Sequence, residues 1–363
     1  MYFSNGFFPR PFGVKGGHNL KNSNIPELVS HFPALTELTG ISADEIANNL
    51  RKFMADKEAY SENTFKKLMT VVRAWARWCK EKNLPAMPIR PEYARAYFLE
   101  LHEAGAASTS ITNHFAMLNM LARISGLPDL KTNTEVQLAM KKIRRQSVLS
   151  GEKAGQAVPF RLADLQLASH ILSQSEKLAD LRNCAFLYVA YNSLLRIQEI
   201  ARIRVRDLTL NEERIIMDIS HTKTLVTAAG VIKHLSHPAS KMLRLWLNKS
   251  QLINHPDAMV FSRVFKNDRV QISYKPMTTP SLERIFQDTW RLLGRETLAA
   301  NKGRYEMWSG HSARVGAAQD MHDRGVGMAQ IMHEGTWSKP ETVMRYLRRL
   351  KNENSAMSNI MER

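Results

Sequence analysis

The sequence predicts a mainly helical protein with one small antiparallel β-sheet, organised as two lobes. Helical periodicity runs through most of residues 41–147 and returns after residue 160. A polar segment of small residues separates these stretches, as is typical of a linker. Strand character is confined to an alternating stretch at 214–219 and its expected partner at 231–236. A sheet of this size serves a mostly helical domain.

The length of 363 residues exceeds the usual size of a single core, so two domains are expected. Residues 1–40 hold scattered Gly, Asn and Pro without periodicity, which predicts a flexible arm. Residues 41–147 predict a helical domain and 148–159 an interdomain linker. Residues 160–363 predict the second domain, which carries the sheet.

Five amphipathic helices are expected in the first domain. Ser42 and Glu45 have the spacing of a capping box, and Ser61 can open the second helix. The other three are expected at 92–103, from 108 or 110 to 124, and at 135–147. In the second domain we expect helices at 162–173 and 177–191, a new helix start at Asn192–Ser193, and a cap at Ser309.

The charge balance points to a polyanionic partner. Lys and Arg number 51 against 34 Asp and Glu, a net charge of +17 that both halves of the chain share. Two basic lobes suit a grip on one polyanion, although ribosomal and membrane-surface proteins are also basic. The basic run Lys141, Lys142, Arg144 and Arg145 ends the fifth helix and favours phosphate contacts.

The sequence does not favour a membrane, secreted, disulfide-bonded or metal-binding protein. No apolar run of about 18 residues occurs, and the N-terminal segment lacks a continuous secretory signal, so a cytoplasmic protein is expected. Cys79 and Cys184 lie in apolar helical contexts and predict buried free thiols. Neither a phosphate-binding glycine loop nor a Cys/His zinc spacing is present, so no cofactor or metal is expected.

Two neighbouring stretches near the C-terminus carry the chemistry, WSGHSARVGAAQD at 308–320 and GTWSKPETVMRYLRR at 335–349. They bring Tyr346, a possible nucleophile, close in sequence to His311, Arg314 and Trp337. A tyrosine phenol has a pKa of about 10 in solution, so attack on a phosphodiester requires cations or a base beside it. Arginine suits the phosphoryl oxygens because its planar fork stays charged and donates twice.

Three upstream residues complete the set. Arg196 and Glu199 have an i, i+3 spacing, and Lys223 lies in the turn between the two strands, where a flexible amine could protonate a leaving oxygen. Each residue alone has an ordinary interpretation as a surface ion pair, a solvated lysine, a satisfied histidine or a packed aromatic. The combination, in this order and spacing, favours a catalytic site.

These motifs resemble the Cre-type tyrosine recombinases. AYNSLLRIQEIARIRV, HTKTLVTAAG, WSGHSARVGAAQDM and the spacing from Trp337 to Tyr346 carry the resemblance, which continues through SENTFKKLMTVVRAWARWCK and HFAMLNMLARISGLP. It implies a two-lobed DNA clamp, with a helical N-terminal domain and a tyrosine-recombinase catalytic domain. It also implies cleavage and rejoining of duplex DNA at paired palindromic sites through a 3′-phosphotyrosine and a Holliday junction.

The resemblance also implies a role for each matching residue. Tyr346 matches the nucleophile, Arg196 and Arg314 the phosphate-clamping arginines, and Lys223 the proton donor to the leaving oxygen. The remaining matches are His311 and Trp337, which support the phosphate, and Glu199, which orients the cluster. No nucleotide or metal is implied, because the tyrosyl ester conserves the energy of the broken bond.

Sequence recognition and assembly are the remaining implications. Base-reading positions of the family fall at Lys66, Lys67, Asn113, Pro280 and Glu283. Because proline cannot replace an arginine that donates to guanine, a target different from that of the family's best-known member is expected. Residues 354–362 are expected to form a helix that docks into a neighbouring protomer of a tetramer on DNA, through Ala356, Met357, Ile360 and Met361. That helix could instead fold back on its own domain. DNA relaxation of the type IB topoisomerase kind and non-catalytic DNA binding are the alternative functions.

Overall fold

The computed structural model describes residues 41–152, 155–219, 230–296, 306–348 and 361. These residues form a mainly helical protein with one three-stranded antiparallel sheet, which confirms the predicted fold class. None of the helices in these ranges combines the length and the apolar character needed to cross a membrane. The predicted arm and Lys223 lie outside the described residues.

The chain divides into two compact units, with the boundary between Ala154 and Gly155. The N-terminal unit is built from helices with short loops between them. Its α-helices are α1 (Ala43–Ala55), α2 (Glu62–Glu81), α3 (Pro91–Glu103), α4 (Ser108–Ile124) and α5 (Thr134–Leu149).

Serine side chains start the first two helices as the sequence predicts. The Ser42 hydroxyl accepts the Glu45 N–H at 3.1 Å, and the Ser61 hydroxyl accepts the Thr64 N–H at 3.2 Å. Each serine thereby satisfies one of the N–H groups that the first helical turn leaves without a backbone partner. The inward faces of the five helices share one apolar core, and the Cys79 thiol is buried in it.

The C-terminal unit combines helices with the sheet. Its helices are α6 (Leu162–Leu172), α7 (Leu178–Ser193), α8 (Ile197–Ile200), α9 (His237–Lys249), α10 (Thr279–Leu292), α11 (Ser312–Asp323), α12 (Met328–Glu334) and α13 (Pro340–Leu347). Its strands are β1 (Leu208–Leu210), β2 (Ile215–Ile219) and β3 (Val231–His234). Cys184 on α7 is a buried free thiol, as predicted.

The sheet has the order β1-β2-β3, with both pairings antiparallel. Ile215, Met217 and Ile219 of β2 face the core, which confirms the predicted alternation. In β3 the residue opposite Met217 is Lys233, so a lysine occupies an inward position. The short strand β1 was not predicted from the sequence.

Two apolar clusters hold the C-terminal unit together. The larger one joins α6–α11 and the sheet. A smaller one joins α11, α12 and α13, with Ala317, Ala318, Ile331 and Val343 at its centre. This smaller cluster fixes α13, the helix that carries Tyr346.

Two predicted helix starts are wrong. Asn192 and Ser193 end α7, and the next helix begins only after Arg196, because Leu194 adopts the left-handed conformation with φ 53°. Ser309 does not cap α11, whose N-cap residue is His311. The Ser309 N–H instead donates to the Ser312 hydroxyl at 2.8 Å.

Candidate active site

Arg196 and Glu199 form one end of the candidate site. Arg196 precedes the four-residue helix α8, and Glu199 accepts both the Arg196 N–H and its guanidinium, each at 2.9 Å. The Glu199 side chain is 6% exposed and that of Arg196 is 25% exposed. The carboxylate therefore holds the arginine in one orientation while part of its guanidinium stays open to an incoming group.

Arg314 lies at the centre of the site, in the first turn of α11, and is 2% exposed. Its guanidinium donates to the Leu194 carbonyl and, at 3.0 Å, to the Gly335 carbonyl. Leu194 and Thr336, the residue after Gly335, both have positive φ angles, of 53° and 50°. Side chains rarely adopt this region, and such strain persists where the surroundings impose it. Arg314 therefore ties together two strained turns.

Trp337 and Tyr346 pack beside this guanidinium. The Arg314 Cζ atom lies 4.9 Å from the centre of the Trp337 ring, and the Trp337 and Tyr346 rings meet edge to face at 5.5 Å. Gly335 makes room for the indole, since a Cβ atom there would lie 2.2 Å from the ring. The candidate nucleophile thus packs, within its own chain, against the tryptophan that lies over the central arginine.

The electrostatics of Arg314 are those of a buried cation with excess positive charge nearby. Burial, followed by repulsion from Arg196, lowers the pKa of Arg314 to about 10, against the stabilising influence of Tyr346 and Glu199. The group therefore remains charged at neutral pH. An anion bound between the two guanidiniums would relieve their repulsion.

Lys233 is a neighbour of this site that sequence reasoning missed. Its side chain is buried, and its ammonium donates to the Glu334 carbonyl at the end of α12. Burial lowers the pKa of Lys233, and the charges of Glu334, Arg314 and Glu199 also act on it. Because Lys233 and Arg314 bind the adjacent carbonyls of Glu334 and Gly335, they hold the segment that leads into Trp337. A lysine at an inward strand position was the available signal.

The remaining predicted site residues are placed as follows. His311 is exposed and precedes the first turn of α11, three residues before Arg314. The structure brings Arg196, Glu199, Arg314, Trp337 and Tyr346 together. Lys223 lies outside the described residues.

This arrangement can bind a tetrahedral anion beside a phenol. Arginine has five N–H donors, and two donors of Arg314 are occupied by carbonyls, so at most three remain for the phenol and an anion. The Arg196 side chain is 25% exposed, and its donors that do not bind Glu199 can contact the same anion. Donors fixed in advance around a reacting phosphoryl group are the main source of catalysis in such chemistry.

The predicted DNA-binding residues lie on the surface in three places. Lys66 and Lys67 on α2 and Asn113 on α4 line one depression of the N-terminal unit. Contrary to the prediction, the basic run does not end α5, because the helix continues to Leu149. Its four cations are all exposed: Lys141, Lys142, Arg144 and Arg145. Pro280 is exposed in the first turn of α10, where the missing N–H of a proline causes no loss, and Glu283 follows three residues later.

Two further predictions concern metal binding and the contacts between protomers. Within it, no group of three His, Cys, Asp or Glu residues is placed to hold a metal ion. Of the predicted oligomer contacts, Met361 is described and is 80% exposed. Ala356, Met357 and Ile360 lie outside the described residues.

Comparisons of the sequence with known proteins agree with its resemblance to the Cre-type tyrosine recombinases. The model of the phage integrase family matches residues 161–353, more than half of the chain. Recombinase cre of Escherichia phage P1 is 41% identical over 342 residues, which cover 94% of this chain and 99% of the relative. An integrase/recombinase XerD homolog of Selenomonas ruminantium is 24% identical over 316 residues, 83% of this chain and 87% of the relative.

Solved structures share the fold. The Tn1549 transposon integrase in complex with circular intermediate DNA matches with a TM-score of 0.58 at 13% identity, over 88% of this chain and 99% of that one. A lambda integrase dimer bound to a COC′ core site matches with a TM-score of 0.53 at 13% identity, over 90% of this chain and 83% of that one. The nearly complete overlap with recombinase cre favours site-specific recombination over the alternative functions. The chain therefore belongs to the phage integrase family, as a Cre-type tyrosine recombinase.

Proposed function

We propose that Tyr346 is the nucleophile with which this recombinase cleaves and rejoins duplex DNA. The phenolic oxygen attacks the scissile phosphorus, the bond from phosphorus to the 5′ oxygen breaks, and a 3′-phosphotyrosine forms. The phenol loses its proton, and the departing 5′ oxygen takes one up. The reverse reaction, with a 5′-hydroxyl from another duplex as the attacking group, completes strand exchange without a cofactor.

The other site residues stabilise the charge that develops on the phosphoryl group. Arg314 and Arg196 hold its non-bridging oxygens, and Glu199 keeps Arg196 oriented through the two hydrogen bonds at 2.9 Å. His311 and Trp337 donate to the phosphate or the nucleophile, and Lys223 protonates the 5′ oxygen.

One observation carries the proposal. The Tyr346 ring packs edge to face at 5.5 Å against Trp337, whose ring lies 4.9 Å from the buried Arg314 guanidinium, so the phenol shares one site with this cation. The positive charge of Arg314 and Arg196 attracts the phosphodiester that the phenol would attack.

The target is proposed to be a pair of palindromic sites, each composed of inverted half-sites. Lys66, Lys67, Asn113 and Glu283 contact base edges. The basic group on α5, before the last turn of that helix, contacts phosphates, in keeping with its exposure. Four protomers assemble on two sites, using the C-terminal residues Ala356, Met357, Ile360 and Met361. Strands are exchanged in pairs through a Holliday junction.

The test begins by selecting bound and recombined sequences from a library of randomised palindromes. The selected site is then made with a nick near the cleavage position, so that the freed 5′-hydroxyl fragment dissociates and the covalent complex accumulates. Wild-type protein should form a denaturation-resistant protein–DNA adduct, and Tyr346→Phe should bind the same DNA without forming any.

Two controls separate the possible outcomes. DNA binding by Tyr346→Phe at wild-type affinity establishes that only the chemical step is lost. An adduct formed by Tyr346→Phe would remove Tyr346 from its proposed role. Relaxation of plasmids without the selected site, at wild-type efficiency, would favour a topoisomerase.

A further inference from the structure

Two buried glutamines bond to the backbone of Tyr346. Gln156 and Gln319 each donate through Nε2 to the Tyr346 carbonyl oxygen, at 2.9 Å and 2.8 Å. Their exposed fractions are 4% and 3%. Gln319 lies on α11, five residues after Arg314, and Gln156 lies 190 residues before Tyr346 in the sequence. Neither belongs to the residues that the reaction itself requires.

The position of Tyr346 in its helix explains why its carbonyl needs these donors. Tyr346 is the residue before the last one of α13, Pro340–Leu347. The last four carbonyls of an α-helix lack the N–H groups that a continuing helix would supply. The two side-chain amides supply those donors, so α13 can end directly after the tyrosine with its last turn fixed.

Gln319 is held in the orientation that this contact requires. Its Oε1 atom accepts from Arg161 at 3.3 Å, so its NH₂ group faces Tyr346. Arg161 is in turn paired with Asp320 at 2.7 Å and with Asp323. The hydrogen bond from Gln319 to the Tyr346 carbonyl is therefore fixed by Arg161 and its two aspartates.

Gln156 lies in the stretch that enters the C-terminal unit directly after the boundary at Ala154. Further along this stretch, the Phe160 N–H donates to the Ser312 carbonyl at 3.0 Å, which attaches it to α11. The Gln156 Oε1 atom is buried and finds no hydrogen-bond partner in the described part of the chain. A buried acceptor without a partner costs about 1–3 kcal/mol. The favourable contribution of the Gln156 side chain is therefore the hydrogen bond that its Nε2 group donates to the Tyr346 carbonyl.

We infer that Gln156 and Gln319 are positioning residues that set where the nucleophilic oxygen of Tyr346 stands relative to the bound phosphate. The inference rests on the proposed role of Tyr346. A misplacement of about 1 Å in a reacting group can lower a rate about a hundredfold. Because both amides hold one carbonyl oxygen, either can partly replace the other, so their effects are coupled.

The test uses the full-length protein and the nicked, selected DNA site in single turnovers at saturating protein. Gln156→Met and Gln319→Met remove the donor at similar volume, and Gln166→Met on α6 is the matched control at an exposed position. We expect each buried variant to form the covalent adduct about threefold more slowly and the double variant about a hundredfold more slowly. DNA affinity should stay within about twofold of wild type, and Gln166→Met should react at the wild-type rate.

A second substrate separates positioning from proton transfer. Replacing the bridging 5′ oxygen by sulfur gives a leaving group that needs no proton, and we expect it not to restore the rate of the double variant. Thermal unfolding accompanies every variant, and the milder Gln156→Asn and Gln319→Asn replace any methionine variant that does not fold.

Three outcomes would overturn the inference. They are a double variant that cleaves at the wild-type rate, a loss that lies wholly in DNA affinity, and full rescue by the sulfur substrate. Adduct formation by Tyr346→Phe would overturn the proposed function instead. If Tyr346→Phe forms no adduct and the double variant cleaves at the wild-type rate, the proposed function is retained and the positioning role of the two glutamines is refuted.

Discussion

Arg314→Lys is the substitution for which the structure gives the most specific expectation. It retains the positive charge but reduces five N–H donors to three and replaces the planar fork by a single point. The Leu194 carbonyl and the Gly335 carbonyl already require two donors. A lysine that satisfied both would have one donor left for the phosphate and no fork.

The expected magnitudes follow from this donor count. Loss of a donor to the phosphoryl group lowers the cleavage rate by about 10²–10³. If the ammonium reaches only one of the two carbonyls, the lost charge-assisted hydrogen bond lowers the free energy of unfolding by about 1.5–3 kcal/mol.

Single-turnover adduct formation on the nicked site measures the first quantity, and urea unfolding measures the second. Arg324→Lys is the matched control, because Arg324 follows α11 with its side chain 58% exposed. Cleavage by Arg314→Lys within about threefold of wild type, in a folded protein, would refute the assignment of Arg314 as the central phosphate donor.

Three further predictions concern the surroundings of the site. Gly335→Ala places a Cβ atom 2.2 Å from the Trp337 ring and should slow adduct formation about tenfold, whereas Gly327→Ala, with no atom within 4 Å, should not. Burial lowers the pKa of Lys233 in the folded protein below the 10.5 of the unfolded chain. Between the lowered pKa and 10.5 the unfolded chain binds more protons than the folded protein, so the free energy of unfolding rises with pH across that window. Urea unfolding of Lys233→Met at a series of pH values should show a smaller rise, and an unchanged rise would exclude Lys233 as its source. Asp320→Asn removes the carboxylate charge that accepts the Arg161 guanidinium at 2.7 Å and the Leu162 N–H at 2.8 Å. It should lower the free energy of unfolding by about 2 kcal/mol, less than the loss of a fully buried ion pair, because Arg161 is partly exposed. Thermal unfolding at an unchanged temperature would count against this ion pair.

Local patterns in the sequence predict much of the fold because local chemistry determines it. The hydroxyls of Ser42 and Ser61 mark helix starts through contacts three residues away, and the alternation in β2 follows from its single buried face. The wrong helix start at Asn192–Ser193 has a tertiary cause. Arg314, more than a hundred residues later, binds the carbonyl of Leu194, whose left-handed conformation ends α7.

The candidate site is predictable in part for the same reason. Arg196 and Glu199 interact within one helical turn, and the contact of Trp337 with Tyr346 spans nine residues. Gln156 and Gln319 were missed, because an amide that holds a distant carbonyl leaves no pattern around it in the sequence. Lys233 was missed although its inward position in a strand was a signal, because its partner is distant in the sequence. Their partners are brought to them only by the packing of α11, α12 and α13.

Identification of the residue that carries the DNA tests the central claim most directly. The adduct trapped on the nicked site is digested with nuclease and protease, and the modified peptide is sequenced by mass spectrometry. The account predicts one modified residue, Tyr346, linked to a 3′-phosphate. A 3′-phosphate on any other side chain, or a 5′-phosphate linkage, would contradict it.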